Sequence, residues 1–195
     1  MLGYLLKKGG ELYMIELKRT TVGVFGNYWE DVEGGLLERK YNREPSNERL
    51  SSAITVAQAV YEYDPASKRA IVALDDGVLV GFLTYNRRGE GIFVNDMAAF
   101  RSGAGIGTAL MRDVEKVARY SGGVIYVSPI DDATGAFYSK LGYHDTGQKM
   151  WSVQENMWAK SVATRTKRRV ATTKRGSRRS DTRSTPPAGM MRIGL

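Results

Sequence analysis

The segment RSGAGIGTAL, residues 101–110, places three glycines at the start of an amphipathic helix. Before it, residues 92–97 form a strand-like apolar run; after it, Ile106, Leu110 and Val114 repeat at helical spacing. Because glycine lacks a Cβ atom, the backbone can curl and point successive N–H groups into one concavity. The free N–H groups and the dipole of the following helix favour an anion at the same place. The segment therefore predicts a strand–loop–helix unit that can bind an anion such as a pyrophosphate.

The glycine spacing excludes two common phosphate-binding loops. A P-loop ends in Gly-Lys-Ser/Thr, whereas Gly107 is followed directly by Thr108. The dinucleotide fingerprint has two residues between its second and third glycines, whereas Ile106 alone separates Gly105 from Gly107. Short glycine motifs are weak evidence on their own, so a glycine-rich turn without a ligand stays an alternative.

The chain after this unit continues the alternation of helix and strand. The helical apolar face stops at residues 122–123, and residues 124–127 predict a short strand near the centre of a sheet. A second helix is predicted at about residues 132–141, followed by a glycine in the usual C-terminal position. Residues 150–153 and 157–158 predict one more strand or a hairpin, and the single histidine, at position 144, stands at the start of a predicted strand.

The chain before the unit predicts a strand, a helical region and a meander. Residues 11–17 predict a first strand, and residues 27–62 predict helices with breaks at Gly34-Gly35 and around Pro45. Three strand-like runs joined by short turns then predict an antiparallel meander. They are residues 70–74, 78–85 and 92–97.

The positive charge of the chain is concentrated at its C-terminus. The formal net charge is +8, and residues 161–195 alone contain ten Lys/Arg against one acid. Residues 1–160 contain nineteen basic and twenty acidic groups. The tail has no helical or strand period and too little apolar surface to offset its ordering entropy. We therefore expect a folded domain, residues 1–160, and a basic tail, residues 161–195, that is disordered or ordered by a partner.

The tail permits three interpretations. Lys and Arg among Ser, Thr and Gly suit contact with nucleic-acid phosphates, and the segment Arg165–Leu195 is the predicted contact. Its apolar end, residues 190–195, also suits docking on an acidic protein surface or assembly. A solvated extension without a function is the third interpretation.

Composition excludes several kinds of site. The chain has no cysteine, which excludes disulfides, thiolate zinc sites and an acyl-cysteine intermediate. With no cysteine and a single histidine, His144, the chain has few of the usual metal ligands, so no metal site is predicted. No stretch approaches the roughly 18 apolar residues of a membrane helix, and the first residues lack the order of a signal peptide. A cytoplasmic, intracellular protein without a membrane partner is therefore expected.

The glycine pattern, the short apolar strand and the later segment AFYSKLGY, residues 136–143, together resemble the GNAT superfamily of acyl-CoA-dependent N-acetyltransferases. The resemblance spans about residues 69–143. It implies an α/β (α+β) fold, with a mixed, mostly antiparallel twisted sheet flanked by helices. It also implies acetyl-CoA as co-substrate, and transfer of the acetyl group by direct attack of an amine of a protein or small molecule. Such transfer needs no acyl-enzyme, which agrees with the absence of cysteine.

The resemblance assigns the cofactor site chiefly to the glycine loop. Gly105 and Gly107 match the two signature glycines. Ser102 stands where Gln or Arg is usual, Arg101 stands one place early, and Asp131 stands where Asn commonly contacts the CoA arm. The cofactor-binding residues that the resemblance implies are Met97, Ala98, Arg101, Ser102, Gly103, Ala104, Gly105, Ile106, Gly107, Thr108 and Asp131.

The resemblance also assigns catalytic roles. The backbone N–H of Met97 or Ala98 would bind the thioester carbonyl oxygen, and Tyr138 would return a proton to the departing thiolate. Asp96 and Glu90 are the candidates for the general base. Each side chain has another interpretation, since most carboxylates are exposed surface groups and helix aromatics commonly pack in a core.

Two functions therefore stay open. The first is acetyl transfer from acetyl-CoA to an amine. The second is a GNAT-fold binding or structural protein whose catalysis has decayed, tethered through its basic tail to nucleic acid or to a large assembly such as a phage virion. The departures at Ser102 and Asp131, together with the tail, motivate the second function.

Overall fold

The computed structural model describes residues 2–8, 11–42, 48–66, 68–89, 91–101, 103–149 and 156–164. Strands and helices alternate in this part of the chain. In order they are β1 (Leu2–Lys8), β2 (Glu11–Thr21), α1 (Val22–Asn42), α2 (Glu48–Tyr63), β3 (Arg69–Asp75), β4 (Val78–Arg88), β5 (Gly91–Ala99), α3 (Ile106–Ala118), β6 (Val124–Val127), α4 (Asp132–Lys140), β7 (His144–Lys149) and β8 (Asn156–Ser161).

All described strands belong to one sheet, in the order β1-β2-β3-β4-β5-β6-β8-β7. β5 and β6 pair in parallel, and the other neighbours pair antiparallel. A parallel pair needs a crossover connection, which α3 provides. The predicted α/β fold, with a mixed, mostly antiparallel sheet flanked by helices, is confirmed, as is the meander of β3, β4 and β5.

The helices cover the two faces of the sheet separately. On one face, α1 packs against β2, β3 and β4, and α2 packs against β5. The core there is aromatic, with Phe25 and Trp29 of α1 against Phe82 and Phe100. On the other face, α3 packs over the central strands, and the rings of α4 join the same aliphatic core. These two faces are called the α2 face and the α3 face below.

Residues 11–17 form a strand, as predicted, but this strand is the second of the chain and not the first. β1 precedes that segment and pairs along its length, from Leu2 opposite Leu17 to Lys8 opposite Glu11. β2 then continues to Thr21, and α1 begins at Val22 rather than at residue 27. A strand at a sheet edge is stabilised by its partner more than by its own residues, so a short N-terminal run gave little signal.

The predicted break at Gly34-Gly35 was also wrong, because α1 runs through both residues without interruption. Both glycines are exposed, and a Cβ atom at either position would meet nothing within 4 Å. A glycine inside a helix costs roughly 1 kcal/mol relative to alanine. Burial of Trp29 and Leu36 on the same helix offsets that cost.

Two other predictions fall partly outside the described residues. The break around Pro45 lies in residues 43–47, between the end of α1 and the start of α2. The strand predicted at residues 150–153 falls within residues 150–155, which are outside the described residues. Residues 157–158 are part of β8. His144 begins β7, and β8 inserts between β6 and β7 in the sheet.

The described chain continues slightly past the expected end of the domain at residue 160. β8 ends at Ser161, and the Val162 N–H donates a 2.6 Å hydrogen bond to the Gly123 carbonyl oxygen. The tail segment Arg165–Leu195 lies outside the described residues. None of the described helices combines the length and the apolar character needed to cross a membrane.

Candidate functional site

β5 separates from β6 in the middle of the sheet. Their parallel pairing covers only Gly91 to Phe93 of β5, although β5 continues to Ala99. On the other side of β5, the pairing with β4 shifts by one residue, since Thr84 is opposite Asp96 while Tyr85 is opposite Val94. Asn95 is thus the extra residue of a β-bulge, a feature that bends a strand and increases its twist. Among the described strands, the edge of β5 that faces β6 is therefore unpaired beyond Phe93, and this unpaired edge is called the gap below.

The backbone of Met97 faces this gap. The Phe100 N–H donates to the Val80 carbonyl oxygen at 2.9 Å, so residue 100 bonds toward β4. Backbone groups alternate in direction along a strand, so Ala98 also bonds toward β4, and Met97 and Ala99 point toward β6. Of the two residues predicted to supply an N–H to a carbonyl oxygen, Met97 therefore has the free orientation.

The glycine loop lies at the end of the gap. Gly103 and Gly105 have φ angles of 74° and 73°, in the left-handed region that glycine adopts without strain. Gly105 is the N-cap of α3 and accepts from the Ala109 N–H at 3.0 Å. It has no side chain to cap the helix, so the N–H groups of the first turn stay open to a ligand.

Close packing fixes the loop against the sheet. A Cβ atom at Gly81 would lie 2.7 Å from Cγ2 of Ile106 and 2.9 Å from the Ala98 carbonyl oxygen. A Cβ atom at Gly107 would touch the Phe137 ring at 3.4 Å, with the Met97 side chain at 3.9 Å. Two further residues of the predicted site differ in exposure. Ala104 is buried and Thr108 is partly exposed.

Arg101 and Ser102 are the two predicted cofactor-binding residues that directly precede the glycines of the loop. The guanidinium of Arg101 pairs with the Asp75 carboxylate, and Arg101 borders α1 and the start of β4. A phosphate contact by Arg101 would therefore require that pair to open. Ser102 lies outside the described residues, so its role stays a prediction.

Asp131 is the N-cap of α4. Its Oδ1 accepts from the Thr134 N–H at 2.7 Å, and the Asp131 N–H donates to the Thr134 hydroxyl at 3.1 Å. The Thr134 hydroxyl also donates to Oδ1, and this bond together with the one from the Thr134 N–H holds the pKa of the Asp131 carboxyl below its ordinary value. Asp131 also borders an open cleft of about 410 Å³ with Gly135 and Trp158. The residue thus has a structural task, and its predicted contact with the CoA arm stays a prediction.

Tyr138 lies on the α3 face, deep in the aliphatic core. Its side chain is only 6% exposed, and its ring makes edge contacts with Phe137 at 5.2 Å and Tyr143 at 5.7 Å between centroids. Burial raises the pKa of the Tyr138 hydroxyl to about 12. Tyr138 is therefore protonated at neutral pH and can act as a proton donor but not as a base.

Asp96 lies on the opposite face. Its Oδ2 accepts from the Thr84 hydroxyl at 2.8 Å and lies 3.3 Å from the ammonium of Lys68, which also pairs with Asp64. Among the described residues, no group bonds to Oδ1. One carboxylate oxygen is thus held in place while the other is open. Glu90, the other predicted base, lies outside the described residues.

Sequence reasoning missed the residues that hold Asp96. Thr84 is fully buried within the apolar run of residues 78–85, and that isolated polar residue was a signal that could have been used. Lys68 stands in the connection between α2 and β3 and carries no comparable signal. Among the described residues, no group of three or more His, Cys, Asp or Glu side chains could hold a metal ion.

Comparisons with known proteins agree with this geometry. The model of the acetyltransferase (GNAT) family matches residues 35–143, more than half of the chain. Similar solved structures include PaiA N-acetyltransferase from Thermoplasma acidophilum in complex with coenzyme A, at 15% identity and a TM-score of 0.50, covering 76% of this chain and 99% of that one. A further match is aminoglycoside 6'-acetyltransferase type Ii, at 22% identity and a TM-score of 0.51, covering 77% of this chain and 99% of that one.

A third similar structure is a putative GNAT-family acetyltransferase from Desulfovibrio desulfuricans, at 17% identity and a TM-score of 0.51, covering 76% of this chain and 99% of that one. Comparison with curated protein sequences gives no significant match. At these identities the solved structures establish the fold alone, whereas the family model spans the glycine loop, β6 and α4 together. The chain belongs to the GNAT family of acetyltransferases.

Proposed function

We propose that the protein is an N-acetyltransferase that moves an acetyl group from acetyl-CoA to an amine by direct attack. The observation that carries this proposal is the gap between β5 and β6, which ends at an open helix N-terminus lined by glycines. The gap can take a narrow, extended thioester arm, and the helix N-terminus can take the pyrophosphate. PaiA, which shares the fold, was crystallised with coenzyme A.

The loop fits a pyrophosphate without help from a basic side chain. The N–H groups of Ile106, Gly107 and Thr108 open the helix, and the left-handed glycines leave no Cβ atom in the concavity. Phosphate oxygens would accept from these N–H groups and gain from the helix dipole. Because Arg101 pairs with Asp75, this backbone cradle carries the proposed binding.

The two faces of the sheet supply the two proton-transfer groups. Asp96 on the α2 face would accept, through its open Oδ1 atom, the proton that the neutral amine loses as its nitrogen attacks. Tyr138 on the α3 face would donate its hydroxyl proton to the leaving thiolate. Met97, between them on β5, would donate its N–H to the carbonyl oxygen as negative charge develops there.

The step balances without an acyl-enzyme. The amine nitrogen forms a bond to the acetyl carbon, the carbon–sulfur bond breaks, and the electron pair leaves with sulfur. One proton passes from the amine to Asp96 and one from Tyr138 to the thiolate. Exchange with water restores both groups, so nothing is consumed beyond the thioester and the amine.

The first test is a thermal-melt titration of the full chain with acetyl-CoA. A ligand at about 100 times its Kd stabilises the folded state by roughly 2.7 kcal/mol. Thr108→Glu puts a carboxylate in the first turn of α3, where it favours the helix dipole but repels phosphate. We expect the variant to fold and to lose the acetyl-CoA shift. The matched control is Gly34→Glu, which adds the same charge at an open, exposed position of α1.

Two results would contradict the assignment of the glycine loop as the acetyl-CoA site. One is the absence of any shift in the wild-type protein with acetyl-CoA. The other is an equal shift in wild type and Thr108→Glu. A shift without thiol release in the presence of amines would instead favour the second candidate, a GNAT-fold protein that binds but does not transfer.

The segment Arg165–Leu195 would contribute a second kind of contact. We propose that it binds the phosphate backbone of nucleic acid, because its excess of Lys and Arg has few acids and no aromatic side chains. The described chain ends at Thr164, packed against Gly123 just before β6, at the opposite end of β5 from the glycine loop. The tail therefore starts away from the proposed pyrophosphate site.

Salt dependence tests the tail proposal. Binding of the full chain to duplex DNA should weaken steeply between 50 and 200 mM salt, roughly in proportion to the number of phosphates contacted. Removal of residues 165–195 should abolish it. Binding that is insensitive to salt would exclude phosphate contact and favour an acidic protein assembly as the partner.

A further inference from the structure

Two aromatic rings stack on the α2 face where β5 and β6 still pair. Phe93 and Tyr126 are opposite one another in the register, and their ring centroids lie 4.6 Å apart with planes 20° from parallel. Both side chains are partly exposed. Neither belongs to the two buried cores, whose nearest β5 members are Ile92 and Val94 on the α3 face.

The stack depends on a glycine. A Cβ atom at Gly91 would lie 2.6 Å from Cε2 and 3.0 Å from Cδ2 of Tyr126. Such distances are shorter than van der Waals contact, so any other residue at position 91 would displace the ring. The backbone of β5 is therefore shaped to let the Tyr126 ring lie across it.

The bulge brings this ring pair next to Asp96. Phe93 is opposite Asn86 and Asp96 is opposite Thr84, two residues apart on β4. Phe93 and Asp96 therefore occupy successive positions on one face of β5, about 7 Å apart at the strand rise. Without the extra residue at position 95, Asp96 would point to the α3 face, and the rings and carboxylate would be on opposite sides.

The described helices leave this part of the α2 face open. α1 packs on β2 to β4 and α2 packs on β5, whereas neither makes a comparable contact with β6, β7 or β8. Arg88 borders the ring pair at the end of β4, with its guanidinium 5.8 Å from the Phe93 ring centroid. A carboxylate, an aromatic surface and a cation thus share one open face.

We propose that Phe93 and Tyr126 select the acceptor of the acetyltransferase, and that this acceptor is a short arylalkylamine. The inference rests on the function proposed above. The amine nitrogen would reach the open Oδ1 atom of Asp96, and the ring would pack on the Phe93–Tyr126 pair. The spacing of about 7 Å along the strand matches a ring separated from nitrogen by two or three carbon atoms. Arg88 would repel an acceptor with a second cation at its far end.

The test measures amine binding to the full chain saturated with coenzyme A, followed by acetyl transfer with acetyl-CoA. The probes are 2-phenylethylamine, n-butylamine and spermidine. We expect 2-phenylethylamine to bind most tightly and spermidine least tightly. Phe93→Leu keeps an apolar side chain but removes the ring, and should weaken 2-phenylethylamine binding by roughly 2- to 12-fold, the size of an aromatic pair contact. Binding of n-butylamine should change little.

Two further variants separate recognition from folding. Gly91→Ala displaces the Tyr126 ring and should repeat the selective loss seen with Phe93→Leu. Met14→Ala removes an apolar side chain on β2 that is 71% exposed and far from the ring pair. It should change the binding of neither amine. In all three variants the thermal shift with acetyl-CoA should match wild type, since none touches the glycine loop.

Equal binding of 2-phenylethylamine and n-butylamine would overturn the inference, as would an equal loss of both amines in Phe93→Leu. Selective binding of the arylalkylamine without acetyl transfer would support the recognition surface and contradict the proposed acetyltransferase activity. The two proposals therefore fail by different observations.

Discussion

The two faces of the sheet surround the same strand with different environments. On the α3 face, Tyr138 is buried among apolar side chains that raise its pKa to about 12. On the α2 face, Asp96 has a side chain that is 32% exposed and one oxygen held by Thr84 and Lys68. A proton donor benefits from a dry site that keeps it protonated, and a proton acceptor must be reached by substrate. In the proposed reaction, the leaving group and the acceptor would therefore occupy opposite faces of β5.

Loss of the Asp96 carboxylate, on the α2 face, should have the largest effect on turnover. Asp96→Asn keeps the shape and the Thr84 contact but cannot accept a proton, so we expect turnover to fall roughly 10²- to 10⁴-fold. The acetyl-CoA thermal shift should be unchanged. Asp76→Asn, in the exposed turn between β3 and β4, is the matched control. Normal turnover in Asp96→Asn would show that Asp96 is not the general base.

Breaking the ion pair between Arg19 of β2 and Asp113 of α3, on the α3 face, should have the largest effect on stability. Asp113 of α3 is 0% exposed and accepts two hydrogen bonds from Arg19, at 2.8 and 3.0 Å. Arg19→Ala leaves the buried carboxylate with only the ammonium of Lys116, 3.8 Å away, and should lower the free energy of unfolding by about 3 kcal/mol, the low end for breaking a buried pair. The neighbouring Lys18 pairs with Glu16, whose side chain is more exposed than that of Asp113, so Lys18→Ala should cost clearly less stability. Urea unfolding measures both losses, and an equal loss of the free energy of unfolding in Arg19→Ala and Lys18→Ala would contradict the difference in burial.

The burial of Tyr138 predicts a loss of stability at high pH. Its folded-state pKa is raised above the ordinary value of 10, so between pH 10 and 12 the unfolded chain releases the proton first. The stabilisation is complete below pH 10 and is lost as pH rises toward 12, by on the order of 2 kcal/mol. Tyr138→Phe should show a smaller decline in chemical unfolding over this range, with the contribution of Tyr143 present in both proteins. Identical declines would place the Tyr138 hydroxyl in water.

The smallest expected effect is a change in stability at helix α1, which packs on the α2 face. Gly34→Ala should raise the free energy of unfolding by about 0.5–1 kcal/mol, because the site is exposed, helical and sterically empty. The same change at Gly26 should be less favourable, since a Cβ atom there would lie 3.2 Å from the Tyr61 ring. Thermal unfolding of the two variants measures the difference. A loss at Gly34 would show that α1 needs flexibility there rather than packing.

Local signals predicted the half of the fold that carries the glycine loop. The turn glycines, the apolar spacing of α3 and the apolar β6 all describe interactions within a few residues, and these elements were confirmed. The N-terminal part was predicted less well, because β1 is stabilised by pairing with β2 and α1 continues past Gly34 by packing on the sheet. Both errors come from tertiary contacts that override local propensity.

The candidate site shows the same division. The loop residues, Tyr138 and Asp96 could be named from the motif and its order along the chain. Their surroundings could not. The pair formed by Arg101 and Asp75 joins residues 26 positions apart, and the contact of Lys68 with Asp96 spans 28 positions. Neither contact joins two neighbouring strands, and spacing along the sequence does not indicate which side chains meet over such separations.

The amino-acid sequence by itself indicated the family, the glycine loop at the start of α3 and the concentration of basic charge after residue 160, because each depends on residue type and short spacing. The tertiary structure alone decided which face each catalytic candidate occupies. One extra residue at position 95 turns Asp96 to the side of Phe93 and Tyr126, away from Tyr138. Side chains alternate along a strand, so a shift of one residue in register exchanges the two faces.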